Sequence, residues 1–243
     1  MLFNDSESSK IGLHKTPSSL RDIVLGGQDG IVNTLGVLLG IAIASNDLRI
    51  IFAGGLAAAF AESVSMAAVA YTSTVAQQSL YEGELAKERK HIREIPERER
   101  EEIREEFRQK GFSGDLLEKA VDTVTSKEEI WLKEMMKFEH SLEPFGRKKA
   151  AISSIIVGFA AITGSLLPLI PFILVPLLNI SIFTAAWASV IISALALFVV
   201  GVYKAQTTIG DWKKSGLEMA LIGTASALVG FLIGYIFKAP TIP

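Results

Sequence analysis

Residues 166–202 include no charged side chain. The longer stretch 150–203 is almost continuously apolar, and as one helix it would run about 80 Å, more than twice the roughly 30 Å hydrocarbon core of a bilayer. It must fold back on itself, and Pro168, Pro171, Pro176 and Asn179 mark the turn. Further apolar runs, each longer than about 18 residues, span 23–45, 50–76 and 217–237. A chain that is 49% hydrophobic, has a mean hydropathy of +0.38 and is still 21% charged must concentrate its charge somewhere. It does so in residues 82–149, which are dense in Glu, Lys and Arg.

The expected fold class is therefore an all-α membrane protein with five transmembrane helices and a three-helix cytosolic insert between spans two and three. The expected division is a cytosolic N-terminal tail at 1–21, spans one and two at 22–79, a helical module at 80–143 and spans three to five at 144–243. The polar turn 46–49 makes spans one and two antiparallel neighbours, and span two meets no breaker until Pro96, so it should continue as one long helix. Gly111 stops the helix that follows, and Ser113 or Asp115 opens the next. Ser126 with Glu129 forms a capping-box pattern that announces the last helix of the module, running to about residue 142.

Lys10, Lys15 and Arg21 precede span one, Arg147, Lys148 and Lys149 precede span three, and Lys204, Lys213 and Lys214 separate spans four and five. In a five-span protein all three groups fall on one side, against only Arg49 and Lys238 on the other, which places the N-terminus and the module in the cytosol. The N-terminus lacks the basic-then-apolar order of a cleaved signal peptide. With no cysteine, any metal would be held by carboxylate, thioether, imidazole or backbone groups. No Walker-type phosphate loop, nucleophile elbow or nucleic-acid signature is present, and nothing points to a prosthetic group. The net charge of -2 decides nothing about partners.

Asp29 is the only ionisable side chain in residues 23–45. An intramembrane carboxylate must be protonated, paired or bound to a cation, so Asp29 is a candidate pathway residue, and so is Glu62 in span two. Met66 lies one turn from Glu62 on the same face, with Ser63 and Ser65 adding oxygen nearby. A hard carboxylate beside a soft thioether suits a borderline divalent transition ion better than Ca²⁺ or Mg²⁺. Gly26 with Gly30, Gly36 with Gly40, and Gly230 with Gly234 have spacings that let helix backbones approach closely, either within the chain or across a homodimer seam.

In the module, Glu88 with His91 and Glu99 with Glu102 are i, i+3 pairs on either side of Pro96, while Met135, Met136 and Glu139 bring two thioethers and a carboxylate within one turn. The bland alternative for these acids is a solvated helix face laced with Lys and Arg. Glu88-x-x-His91 has the spacing of ferritin-like di-iron oxidases, which keeps open a membrane-anchored oxidase, or a metal sensor on a passive anchor. Such oxidases use two Glu-x-x-His motifs, and with His14, His91 and His140 as the only histidines there is no second copy.

The run VLGGQDGIVNTLGVLLG of span one, SVSMAAVAY of span two, the acidic helical insert and WLKEMMKFEH before span three together resemble the vacuolar iron transporter family, from about Leu20 to the end. The resemblance implies a homodimer of five-span chains that exchanges ferrous or similar divalent ions (Mn²⁺, Co²⁺, Zn²⁺) for protons, fed by a cytosolic metal-binding domain of three helices. It implies a plasma-membrane location in a prokaryote and a vacuolar one in a eukaryote. Position by position, it implies Asp29 and Met66 in the transport pathway and Asp22 at the cytosolic mouth of span one. In the module it implies Glu88, His91, Glu99, Glu102, Met135, Met136 and Glu139 as metal ligands. Two departures stand out. His91 occupies a usual glutamate position, and Val69-Ala70 replaces a Gly-Glu found before the span-two Tyr in many bacterial members, with Glu62 as the candidate substitute acid.

Overall fold

The computed structural model describes residues 18–138, 147–207 and 210–238. Among these the fold is entirely helical: α1 (Ser18–Ser45), α2 (Leu48–Glu94), α3 (Pro96–Gln109), α4 (Gly114–Thr125), α5 (Glu128–Phe138), α6 (Arg147–Leu166), α7 (Ile170–Ile173), α8 (Val175–Leu178), α9 (Ile182–Thr207) and α10 (Trp212–Ile236). Five segments are long and apolar enough to cross a membrane: Ser19–Ser45, Leu48–Glu94, Lys148–Leu178, Ile182–Thr207 and Trp212–Ile236. The chain divides into two compact units, one formed by Met1–Tyr71 with Ala151–Pro243 and the other by Thr72–Ala150.

The turns form where the sequence signals them. After α1, Asn46 takes a left-handed φ of 50° and the Asp47 carboxylate accepts the Arg49 N–H at 2.7 Å, capping α2. The apolar stretch folds back through a 3-10 turn (Leu167–Leu169), α7 and α8, each with a proline in its first turn, and Asn179 closes α8 at φ 51°. Asp211 accepts the N–H groups of Lys213 and Lys214 and so starts α10.

Within the first unit, helices meet backbone to backbone. A Cβ on Gly26 would lie 2.4 Å from the Val157 carbonyl oxygen of α6, and one on Gly30 2.2 Å from that of Ala161. On α10, a Cβ on Gly230 would lie 2.0 Å from the Gly36 oxygen, and one on Gly234 2.3 Å from the Gly40 oxygen. The paired glycines are thus engaged within the chain, the first of the two alternatives their spacing left open. Large apolar side chains such as Val64, Phe159 and Leu177 point outward, each at least 70% exposed. In lipid this arrangement carries no hydrophobic penalty, and close contact of small residues supplies the association.

The second unit is packed by large side chains. Ile103 with Phe107, Leu117 with Val121, and Trp131 with Met135 are i, i+4 pairs on α3, α4 and α5, and with Ile92 of α2 and Leu132 they form its core. α3 ends in a Schellman motif: Gly111 has φ 91°, the Phe112 N–H reaches the Phe107 carbonyl at 3.0 Å, and the two rings pack 5.4 Å apart. Arg93 pairs with Glu128 at 2.9 Å, Arg104 with Glu118 at 2.9 Å, and Arg100 with Asp122, tying α2 to α5 and α3 to α4. The expected capping box at Ser126 is not formed. Only Ser126 and Lys127 separate α4 from α5, so Ser126 keeps right-handed helical dihedrals and donates its hydroxyl back to Thr123 O at 2.7 Å, whereas a cap needs extended backbone.

Candidate functional site

Two constellations of acids form, one in each unit. In the module, Glu88 and His91 share a face of α2. Pro96 starts α3 after Ile95 leaves the helical region at φ -135°, and this reversal brings Glu99 back beside them. One ligand atom from each of Glu88, His91 and Glu99 lies within 4.8 Å of the others. The imidazole Nδ1 stands 3.8 Å from Glu88 Oε1 and 3.7 Å from Glu99 Oε1. Donors about 2.1 Å from a metal sit roughly 3 to 3.5 Å apart, so a small contraction would close the three around one ion. The two carboxylates are buried, with side chains 4% and 3% exposed, while the imidazole is 47% exposed. Two anionic oxygens beneath an accessible nitrogen form a mixed donor set that suits borderline divalent ions.

The remaining module residues singled out by sequence are Glu102, Met135, Met136 and Glu139. Glu102 is engaged with Arg98, whose Nε lies 3.2 Å from its Oε1. Met135 packs in the module core and Met136 is buried as well. Glu139 lies outside the described residues.

In the other unit, the Glu62 carboxyl of α2 is within hydrogen-bonding reach of the Asp29 carboxyl and the Asn33 carboxamide of α1. Asn33 follows Asp29 by four residues and so shares its face. Among the described residues neither acid makes an ion pair. Nearer the start of α1, the Ser153 hydroxyl of α6 donates to Asp22 Oδ2 at 2.6 Å. Met66 is half-buried one turn from Glu62. Ser63 is buried and donates its hydroxyl to Ala59 O at 2.7 Å, so its oxygen turns back on its own helix. Sequence reasoning missed Asn33, which its i+4 spacing from Asp29 could have revealed, and Ser153, which nothing local in the sequence connects to Asp22.

The model of the VIT family matches residues 20–235. The chain belongs to this family. Within it, the chain is 31% identical over 212 residues to vacuolar iron transporter 1 of Eucalyptus grandis, covering 87% of this chain and 84% of the relative. It is 29% identical over 219 residues to vacuolar iron transporter 1 of Arabidopsis thaliana, covering 90% and 86%. Protein CCC1 of Saccharomyces cerevisiae is more distant, 22% identical over 235 residues, with 92% and 71% covered. The plant relatives are named transporters, and this VIT-family chain is accordingly not an enzyme.

Proposed function

We propose that this VIT-family chain moves a divalent transition metal, Fe²⁺ foremost and Mn²⁺, Co²⁺ or Zn²⁺ by the same chemistry, out of the cytosol in exchange for protons. The observation that carries this reading is the pair Asp29 and Glu62 in contact within candidate spans and, among the described residues, without a basic partner. Two carboxyls in contact in a low-dielectric setting need either a shared proton or a cation between them. The arriving metal displaces the proton and the returning proton displaces the metal, which is the elementary step of exchange.

The module gathers cytosolic metal at Glu88, His91 and Glu99, with Glu102, Met135, Met136 and Glu139 as the further ligands that the family resemblance implies. Asp22, oriented by Ser153, receives the ion at the mouth of span one. Asp29, Glu62 and Met66 pass it on, and Asn33 lends a carboxamide oxygen to the same face. The lysine and arginine distribution supports a cytosolic module and N-terminus. A homodimer is the assembly that the family resemblance implies. The membrane is the plasma membrane in a prokaryote or the vacuolar membrane in a eukaryote.

In proteoliposomes with an imposed pH gradient, Asp29→Asn should abolish Fe²⁺ flux, and Glu62→Gln should reduce flux and its coupling to protons. Unchanged flux in Asp29→Asn would remove Asp29 from the mechanism. Competition by Mn²⁺, Co²⁺ and Zn²⁺ in the same assay ranks the cargo.

A further inference from the structure

We propose that Thr34 of α1, Ser165 of α6 and Ser193 of α9 together bind one internal water molecule in the interior of the span-bearing unit. All three residues are fully buried, and among the described residues none of their hydroxyls has a hydrogen-bond partner. Elsewhere in the spans a hydroxyl satisfies itself on the carbonyl one turn back: Ser45 on Ile41, Ser63 on Ala59, Thr163 on Phe159 and Thr224 on Ala220. That bond is open to a serine or threonine in any helix, and Thr34, Ser165 and Ser193 forgo it. A buried hydroxyl left unpaired is costly, so three in one region call for a polar occupant.

Printed contacts bring the three to one depth. A Cβ on Gly30 would lie 2.7 Å from Ser165 Oγ, and Thr34 follows Gly30 by one turn on the same face of α1. One turn further out, Leu38 and Leu169 meet: a Cβ on Gly55 would lie 2.5 Å from the Leu38 Cδ2 and 2.8 Å from the Leu169 Cδ2. Thr34 and Ser165 stand four residues before Leu38 and Leu169, so they share a level. On α9, the Ser189 hydroxyl donates to Pro168 O at 2.7 Å. Ser193 lies one turn, about 6 Å, further along α9, which runs back past α6 and so carries it from the level of Pro168 to that of Ser165. One more turn on, Leu197 packs with Ile31 of α1, three residues before Thr34.

The hydroxyls thus form a polar layer between two apolar clusters, one containing Leu35, Leu38 and Leu169 and the other Ile31, Leu197 and Met219. A buried water typically makes about three hydrogen bonds, and each hydroxyl can both donate and accept, so one water satisfies all three side chains. The flanking clusters supply no charged group, and a cation at this level would be buried unpaired. Asp29 and Asn33 precede Gly30 and Thr34 by one residue, about 100° round α1, so the layer and the paired acids occupy different faces. Water at the layer and metal exchange at the acids can therefore fail separately.

The test uses the full-length protein in mild detergent. A high-resolution map of the wild type should show a water bonded to at least two of the three hydroxyl oxygens; hydroxyls rotated onto the carbonyls one turn back, with no water between them, would overturn the site. Thr34→Val is nearly isosteric, so the sign of its effect decides. A water-bonded hydroxyl makes the thermal midpoint fall by about 2–4 °C, the shift that one net hydrogen bond gives a chain of this length, whereas an unpaired hydroxyl makes it rise. Ser193→Ala should lower it similarly, and the double substitution should cost clearly less than the sum, because both side chains serve one water. A rise, no change, or full additivity would refute the shared water. Thr224→Val, which removes a hydroxyl already bonded to its own helix, is the control and should move the midpoint little. A wild-type midpoint that climbs with added Na⁺ or K⁺ at constant ionic strength and is insensitive to them in Thr34→Val would give the layer to a cation and likewise overturn the proposal.

Discussion

The two units of this chain are both helical, yet they are held together by opposite means. In the unit that carries spans one and three to five, helices approach through glycine, down to a 2.0 Å separation between the built Cβ of Gly230 and the Gly36 oxygen. In the module, Ile103, Phe107, Val121 and Trp131 fill the interior, and Arg–Glu pairs lace its surface. The difference follows from the surroundings. Lipid is as apolar as leucine, so burying leucine there gains little and close backbone packing must act instead, whereas in water burial of large side chains contributes about 25 cal/mol per Å². The acids differ in the same sense. Asp29 and Glu62 face each other with an amide for company, while Glu88 and Glu99 are buried beneath an imidazole that reaches solvent.

The strongest challenge to this contrast is Gly230→Val. The added carbons would meet backbone rather than a flexible side chain, so α1 and α10 must part, and the loss should exceed the about 1–3 kcal/mol of ordinary overpacking. A collapse of the thermal transition and of the monodisperse yield in detergent is expected, and wild-type behaviour would refute backbone contact as the organising force. Ile103→Ala probes the other unit. With Ile103 only 1% exposed, truncation should cost about 2–5 kcal/mol, read by hydrogen exchange of the whole chain as lost protection across α3 to α5 with the spans unchanged.

Third comes the metal site. Glu99→Gln removes one of three converging donors and should weaken Mn²⁺ or Co²⁺ binding by at least about tenfold in calorimetry, since even outer-shell changes cost about 10–100-fold. Glu102→Gln tests the further ligand that the family resemblance implies: a comparable loss makes Glu102 a ligand beside the cluster, whereas unchanged affinity leaves its carboxylate to Arg98. A smaller effect separates the glycines themselves. Gly83 has nothing within 4 Å of a built Cβ, so Gly83→Ala should stabilise helix α2 by about 0.5–1 kcal/mol, opposite in sign to Gly230→Val.

The smallest effect is on acid sensitivity. The Arg104 guanidinium, by hydrogen bonding to Glu118, holds that carboxyl below the usual carboxylate range. A depressed native value means that the pair contributes fully above the ordinary carboxylate range and loses its contribution as pH falls through the lowered one. Both groups are solvated, so the slope should be slight. Glu118→Gln should flatten the pH dependence of the module's urea midpoint between pH 7 and pH 3, and an unchanged slope would assign the acid response to other carboxyls.

Much of this was legible in the chain. Runs of apolar residues longer than a bilayer requires identified the candidate spans, Pro96 and Gly111 located two helix ends, and the prolines with Asn179 located the fold-back. Spacing of three and four residues put Glu88 beside His91. The failures have identifiable causes. Ser126 carries a capping residue type, but a connection of only two residues leaves it no room for extended backbone. Ser153 escapes a sequence reading because it meets Asp22 only through the packing of α6 against α1.

What the sequence alone determined is periodic and compositional: which stretches are helical, which suit lipid, and which acids are costly to bury, because each depends on residues within a few turns of one another. Tertiary structure decided the pairings. That Glu62 reaches Asp29, that Ser153 holds Asp22, and that Gly230 presses on Gly36 all join residues far apart in the chain. Those contacts depend on helix rotation and approach, which many different packings of the same apolar pattern would satisfy equally until the backbones meet.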